Sequence, residues 1–175
     1  ALGKPNEQSP VFVTANYKMS FDKLREGLAG RNAWILALDT QGINVWCASG
    51  KGTFGTKELV SRIKSSGLEQ IVSHHELILP QLCGPGVAAH LVKKLSGFKV
   101  IYGPILAADL PAFLDHGLKA TSEMRLKTFT TWERIVLIPM EVVGALKVGL
   151  IVIPTLFLLA FFGKLGGGWT NALHH

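Results

Sequence analysis

Between Lys147 and Lys164 the chain reads VGLIVIPTLFLLAFFG, sixteen residues from Val148 to Gly163 with no charge among them. Such a stretch is either buried in protein or dissolved in lipid. Sixteen residues fall short of the roughly 20 that cross a hydrocarbon core. Extension back through Ile135–Leu146 supplies the missing length and brings in Pro139 and Glu141, while Pro154 interrupts the run itself. A buried hairpin of core helices competes with a membrane anchor here, and the anchor is preferred. The mean hydropathy of the whole 175-residue chain, +0.32, points the same way. Arg125, Lys127 and Arg134 precede the run and only Lys164 follows it, so the positive-inside rule assigns residues 1–130 to the cytoplasmic side. The expected layout is a soluble domain over 9–127, a transmembrane helical segment over 132–165, and a Gly-rich tail over 166–175 with one interfacial Trp169. The N-terminus shows no charged stretch followed by an apolar core, hence no cleavable signal.

Upstream, short apolar runs alternate with amphipathic ones. Pro10–Ala15 and Ala33–Leu38 read as strands, followed by a turn at Asp39–Gly42 and a short strand at Ile43–Trp46. Gln70–Ser73 and Lys99–Tyr102 read as further strands, with His74 and His75 closing the first. Helices are expected at Ser20–Leu28 with a Ser20 cap, at Thr56–Ser66 with Leu59, Val60 and Ile63 on one face, at Pro85–Leu95, and at Ala107–His116. Strand and helix alternating in this way imply an α/β domain with a largely parallel sheet, whose ligands sit beyond the carboxyl ends of the strands.

The chain carries 18 Lys and Arg against 12 Asp and Glu, but the basic residues are dispersed and no aromatic platform accompanies them. Nucleic-acid binding is therefore disfavoured. Two cysteines, Cys47 and Cys83, are too few for a disulfide framework or a four-cysteine zinc module and fit a reducing compartment. No H-x-x-x-H pattern occurs. The densest chemistry is NVWCASGKGTFGT, residues 44–56. Here Cys47 follows an expected strand and opens a short helix, with Lys51 one turn on. Helix N-termini and nearby cations both favour the thiolate. A cysteine beside apolar strand residues is also commonly an inert core thiol, so two readings stay open for Cys47. Cys83, on a Gly/Pro loop, reads as a small packing residue. The same segment holds Gly50-x-Gly52-x-x-Gly55 with Glu76 downstream, a weak dinucleotide fingerprint because Trp46 and Cys47 occupy the approach where a strand should end.

Residues 44–51, NVWCASGK, resemble the cap-helix signature of the HgcA family, the corrinoid proteins of microbial mercury methylation: Asn, Val or Ile, Trp, Cys, Ala, a small residue, Gly, Lys. SPVFVTANYKMSFDKLR, LALDTQGINVWCASGKGTFGT, LILPQLCGPGVAAH and YGPILAADLPAFLDHGLKAT are similar to that family too, so the likeness covers nearly all of residues 9–130. The large subunit of the acetyl-CoA pathway corrinoid iron–sulfur protein is a more distant relative of similar fold, without cysteine at the Cys47 position. This chain departs from the mercury family in having at most one or two membrane helices. It also carries Cys83 where glycine is usual, which implies that Cys83→Gly is tolerated.

The resemblance implies a Rossmann-like corrinoid-binding domain over 9–127, with the corrinoid lying across Thr14–Asn16, Asn44–Lys51, Leu79–Gly86 and Gly103–Ala107. Cys47 would be the lower axial ligand to cobalt, a soft thiolate donor that eases departure of a methyl carbanion toward Hg(II). The implied cofactor-binding residues are Thr14, Asn16, Asn44, Val45, Trp46, Cys47, Ala48, Ser49, Gly50, Lys51, Gly52, Gly84, Gly86 and Gly103. It further implies a small ferredoxin partner with [4Fe–4S] clusters; the two cysteines of this chain are too few for four-thiolate ligation. An unidentified methyl donor and attachment to the cytoplasmic membrane complete the expectation. Two alternatives stay beside it: a corrinoid methyl carrier of the acetyl-CoA pathway type, and a nucleotide-binding regulatory domain using Gly50–Gly55.

Overall fold

The computed structural model describes residues 1–127 and 131–162. Strand β1 (Val11–Ala15) is buried at all five positions, the signature of a strand with neighbours on both edges and cover on both faces. It pairs in parallel with β2 (Trp34–Leu38), from Val11 opposite Trp34 to Ala15 opposite Leu38. On its other edge Phe12 stands opposite Ile78 of β3 (Glu76–Leu79), and β3 pairs in parallel with β4 (Lys99–Tyr102). The four-stranded order is β2-β1-β3-β4. The expected α/β class and parallel sheet are therefore present.

The helices are α1 (Lys18–Gly27), α2 (Val45–Lys51), α3 (Thr56–Ser65), α4 (Leu68–Ile71), α5 (Ala89–Ser96) and α6 (Leu110–Asp115). Alternation along the strands sorts the core into two layers. Phe12 and Ile78 pack with Leu24, Leu28, Leu110 and Phe113, from α1 and α6 and their flanks. Val11, Val13, Leu77 and Leu79 pack with Leu59, Ile63, Val92, Val45 and Ala48 from the other helices. Each buried Val, Leu, Ile or Phe among these is worth roughly 1.5–3 kcal/mol, so the sheet is sandwiched because both of its faces are apolar.

Several expected elements are placed differently. Ile43–Trp46 is not a strand: α2 begins at Val45, because the Asn44 side chain accepts the Cys47 amide at 2.9 Å and caps a helix there. Gln70–Ser73 is not a strand either; Leu68–Ile71 is helical and Val72 drops into the core. The third strand is Glu76–Leu79, so His74 and His75 precede a strand rather than close one. Pro85 does not open a helix, since α5 starts at Ala89 after a turn. Ser20 is not a cap: α1 starts at Lys18 behind Tyr17, which makes no side-chain capping bond. The segment Ala107–His116 divides into a 3-10 turn, Ala107–Asp109, and α6.

Residues Ala1–Lys127 form one unit and Thr128–His175 a second. In the second, α7 (Thr131–Phe162) is one helix of 32 residues running through Pro139 and Pro154, not a hairpin. Its segment Val142–Phe161 is 20 residues of mean hydropathy 2.4, long and apolar enough to cross a membrane, although Lys147 lies within it. Lys164, Trp169 and the tail at 166–175 lie outside the described residues.

Gly86 explains why the α2 region sits where it does. A Cβ there would meet the Phe54 carbonyl oxygen at 2.3 Å and Ser49 Cα at 3.0 Å. Gly86 also accepts the Thr56 amide at 3.2 Å. Gly50, by contrast, points into open space. Gly86→Ala is expected to cost about 2 kcal/mol through overpacking against backbone. Gly50→Ala should be neutral or stabilising by up to about 1 kcal/mol. Urea denaturation of the two variants checks both.

Candidate functional site

β1 passes through α1 to β2 on one side, whereas β3 passes through α5 to β4 on the other. The crevice beyond the carboxyl ends of β1 and β3 is thus the point where the strand order reverses, the usual ligand position in open parallel sheets. A cavity of about 920 Å³ lies there. It is lined by Thr14 at the end of β1, by Leu79, Pro80 and Leu82 after β3, by Gly103–Ala107 after β4, and by Asn44, Val45 and Trp46 at the start of α2. All four segments expected from the sequence contribute to it.

Of the individual residues, Thr14, Asn44, Val45, Trp46 and Gly103 line the cavity. The others are placed elsewhere. Ala48 and Ser49 face the core, and Ser49 Oγ donates to the Val45 carbonyl at 2.8 Å. Gly86 makes its close approach to the protein's own backbone. Gly84 is in the turn after the 3-10 segment Gln81–Cys83, its amide donating to Gln81 O at 3.1 Å. Gly52 is the C-cap of α2 at φ +82°, a conformation that favours glycine. Gly55 packs against Gly52 O and Gly86 O. With Gly50 inside a helix, these glycines form no strand-to-helix phosphate loop, which removes the main support for a dinucleotide fingerprint.

Helix α2 has two faces. Val45, Ala48 and Ser49 are buried, while Trp46, Cys47, Gly50 and Lys51 are exposed. Trp46 and Gly50 are one turn apart, as are Cys47 and Lys51. Trp46 is 59% exposed, unusual for a tryptophan, and the cavity lining reaches it but stops short of Cys47. The inert core thiol is Cys83, not Cys47. Cys83 is fully buried, and burial pushes its thiol up to about 12. Cys47 is exposed.

Asn16 acts on the loop that launches α2. Its Oδ1 accepts the amides of Thr40 (3.0 Å) and Gly42 (3.2 Å), and its Nδ2 donates to Asp39 Oδ1 at 3.0 Å. Asp39 also accepts the Gln41 amide at 3.0 Å, in a turn where Gln41 has φ +56° and Gly42 φ +70°. Donation from Gln41, then from Asn16, holds the Asp39 carboxyl below its usual range. Asn16 is therefore a positioning residue for α2.

Sequence reasoning missed the α1 wall. Met19, Lys23 and Gly27 line the cavity at successive helical turns. Met19 is 61% exposed, and Leu106, which lines the same cavity, is 47% exposed. Lys23 donates to Glu26 at 2.7 Å, which raises its ammonium above the ordinary lysine value. Gly27 permits the crossing of α1 and Ala107, whose carbonyl a Cβ would meet at 2.2 Å. The signal available was a methionine off the core-facing stripe of Leu24 and Leu28.

The CO dehydrogenase/acetyl-CoA synthase delta subunit family matches residues 1–114. The chain belongs to that family. Relatives of this delta-subunit family member include a Methanosarcina thermophila acetyl-CoA decarbonylase/synthase complex subunit gamma 2, 31% identical over 65% of this chain and 25% of its own length. The Moorella thermoacetica corrinoid/iron-sulfur protein large subunit is 31% identical over 64% of this chain and 25% of its own. An Archaeoglobus fulgidus acetyl-CoA decarbonylase/synthase complex subunit gamma is 28% identical, at 66% and 24%. The chain spans about a quarter of the length of these curated relatives.

The two thiols should separate cleanly. Cys47→Ala is expected to change stability by less than about 0.5 kcal/mol, as surface substitutions do. Cys83→Ala should cost about 1 kcal/mol or more, and Cys83→Gly more again, since glycine adds backbone entropy to the lost packing. The expectation that glycine at 83 is tolerated is thus a matter of whether the fold absorbs this loss of packing. Denaturant midpoints read all three. Asp39, with its folded value depressed, contributes stability present above its unfolded value and lost as pH falls through the folded one. Asn16→Ala should raise the Asp39 titration midpoint, followed by NMR of its carboxyl carbon, without restoring it fully because the Gln41 amide remains.

Proposed function

We propose that residues 1–127 hold a corrinoid in the cavity and serve as a methyl carrier of the acetyl-CoA pathway type. The observation that carries this is the large, apolar-rimmed cavity at the reversal point of the sheet, in a chain whose relatives include a protein named as a corrinoid/iron-sulfur large subunit. The comparisons support this role better than methyl transfer to Hg(II). The residues present fit a flat macrocycle. Trp46, Met19 and Leu106 are large exposed apolar side chains on the lining of one cavity, surface that monomeric domains seldom leave without a ligand. Gly50 adds no side chain to the outward face of α2. When bound, a corrinoid would supply a cobalt able to accept and release a methyl group, chemistry no side chain here provides. The chain's own contribution is to pack Trp46, Val45 and Leu82 on the cofactor, to keep the α2 entrance fixed through Asn44 and Asn16, and to present the Lys23 ammonium beside the cavity.

A second reading, transfer of the methyl group to Hg(II) to give methylmercury, rests on Cys47. Its thiol is exposed on the same face of α2 as Trp46 and Gly50, and a thiolate is a soft donor suited to a soft metal. In this reading Cys47 is the cobalt ligand. Both readings call for an iron–sulfur partner as reductant, in keeping with relatives that include a protein named as a corrinoid/iron-sulfur large subunit. Both also use α7 as an anchor in the cytoplasmic membrane, with residues 1–127 on the cytoplasmic side.

Anaerobic titration of the full chain with hydroxocobalamin, read by visible absorbance beside a parallel titration with NAD, tests the cofactor class. Retained corrinoid and no dinucleotide binding is the expected result. Cys47→Ala then divides the two readings. A carrier without a thiolate ligand keeps both its cobalt spectrum and its methyl transfer. A thiolate-ligated methyltransferase shows an altered spectrum, and cells making the variant lose methylmercury formation.

A further inference from the structure

The last stretch of the first unit, residues 121–126, lies beyond the family-matched residues 1–114 and touches two loops of the cavity at once. The Met124 carbonyl accepts the Ile105 amide at 2.9 Å. The Arg125 guanidinium donates to Gln81 Oε1. A 3-10 turn over Glu123–Arg125 sets these two contacts side by side, and the partly buried Met124 side chain packs on the layer formed by Phe12, Leu110 and Phe113.

The loops need such an outside hold. After β4 the last sheet bond is Gly103 N–H to Leu79 O at 2.8 Å. Pro104 has no amide hydrogen to give. The Ile105 amide is therefore the next backbone donor, and it goes to Met124. After β3, Pro80 again lacks a donor, and Gln81 is reached from outside by Arg125. Pro80, Leu82, Pro104, Ile105 and Leu106 all line the cavity, so the two loops form one side of it.

We propose that Arg125, acting with Met124, is a positioning residue for the ligand: residues 121–126 are a strap that fixes the post-β3 and post-β4 loops in ligand-binding register. The proposal rests on the corrinoid reading above and assigns a role outside the family-matched region. A charge-assisted side-chain bond of this kind should appear as a change in ligand affinity rather than in folding.

The test uses the full chain in detergent, with hydroxocobalamin as the probe. Arg125→Ala and Gln81→Ala should each bind about three- to tenfold more weakly at an unchanged thermal midpoint. The double variant should bind no worse than either single one, since both remove the same contact. Arg125→Lys should recover part of the loss. Hydrogen exchange of the Ile105 amide in protein without corrinoid should be faster in Arg125→Ala. If the parent chain binds corrinoid and Arg125→Ala binds it equally well, the strap is overturned and the corrinoid reading stands. If the parent chain binds no corrinoid, the corrinoid reading falls; Ile105 exchange then judges the strap alone, acceleration supporting it and an unchanged rate overturning it.

Discussion

The parallel pairing of β1 with β2 on one edge and β3 on the other is the constraint from which the rest follows. A central strand with no exposed position demands apolar cover on both faces, and that demand is met by α1 and α6 on one side and by α2, α3 and α5 on the other. It also sends the chain in opposite directions from the ends of β1 and β3, so that their loops diverge and leave a crevice. The cavity is thus a consequence of strand order before any side chain is chosen. Side chains then decide its character: Trp46, Met19 and Leu106 make the opening apolar, and Lys23 adds a single cation held by Glu26.

How the α2 segment reaches that crevice depends on backbone economy. The Asn16 carboxamide ties the end of β1 to the turn after β2, and Asn44 stops the extended chain and starts a helix. Gly86 and Gly55 then let the segment after α2 lie against the loop after β3 without side chains between them. These polar and glycine contacts bury little area. They fix direction, while the apolar layers supply the stability.

The fold class was legible from VFVTA, WILAL and KVIY, each a short apolar run bounded by turn residues, and from the helical spacing of Leu59, Val60 and Ile63. The third strand was misread because Glu76–Leu79 has a charged first residue and Gln70–Ser73 looks equally β-prone; long-range pairing with β1, which no local pattern records, decides between them. Ile43–Trp46 was misread because its apolar character is shared by a buried strand and by a helix start in which only Val45 of these four is buried. The site was legible as loop segments, all four of which meet at the cavity, and less so as residues. Trp46 and Asn44 could be named from their motif. Met19 and Lys23 come from α1, and only the close approach of α1 to Ala107 at Gly27 brings them to the same cavity as the post-β4 loop. Cys83 was read correctly as packing, but its full burial is a tertiary fact.

The division of α2 into a buried and an outward face has one more consequence. The Cys47 amide is committed to the Asn44 cap, whereas its side chain touches nothing the fold requires. Backbone and side chain at this position answer to separate demands. The side chain at residue 47 can be exchanged without the domain having to be refolded around the change. The helix cap and the exposed side chain are thus set independently at a single residue.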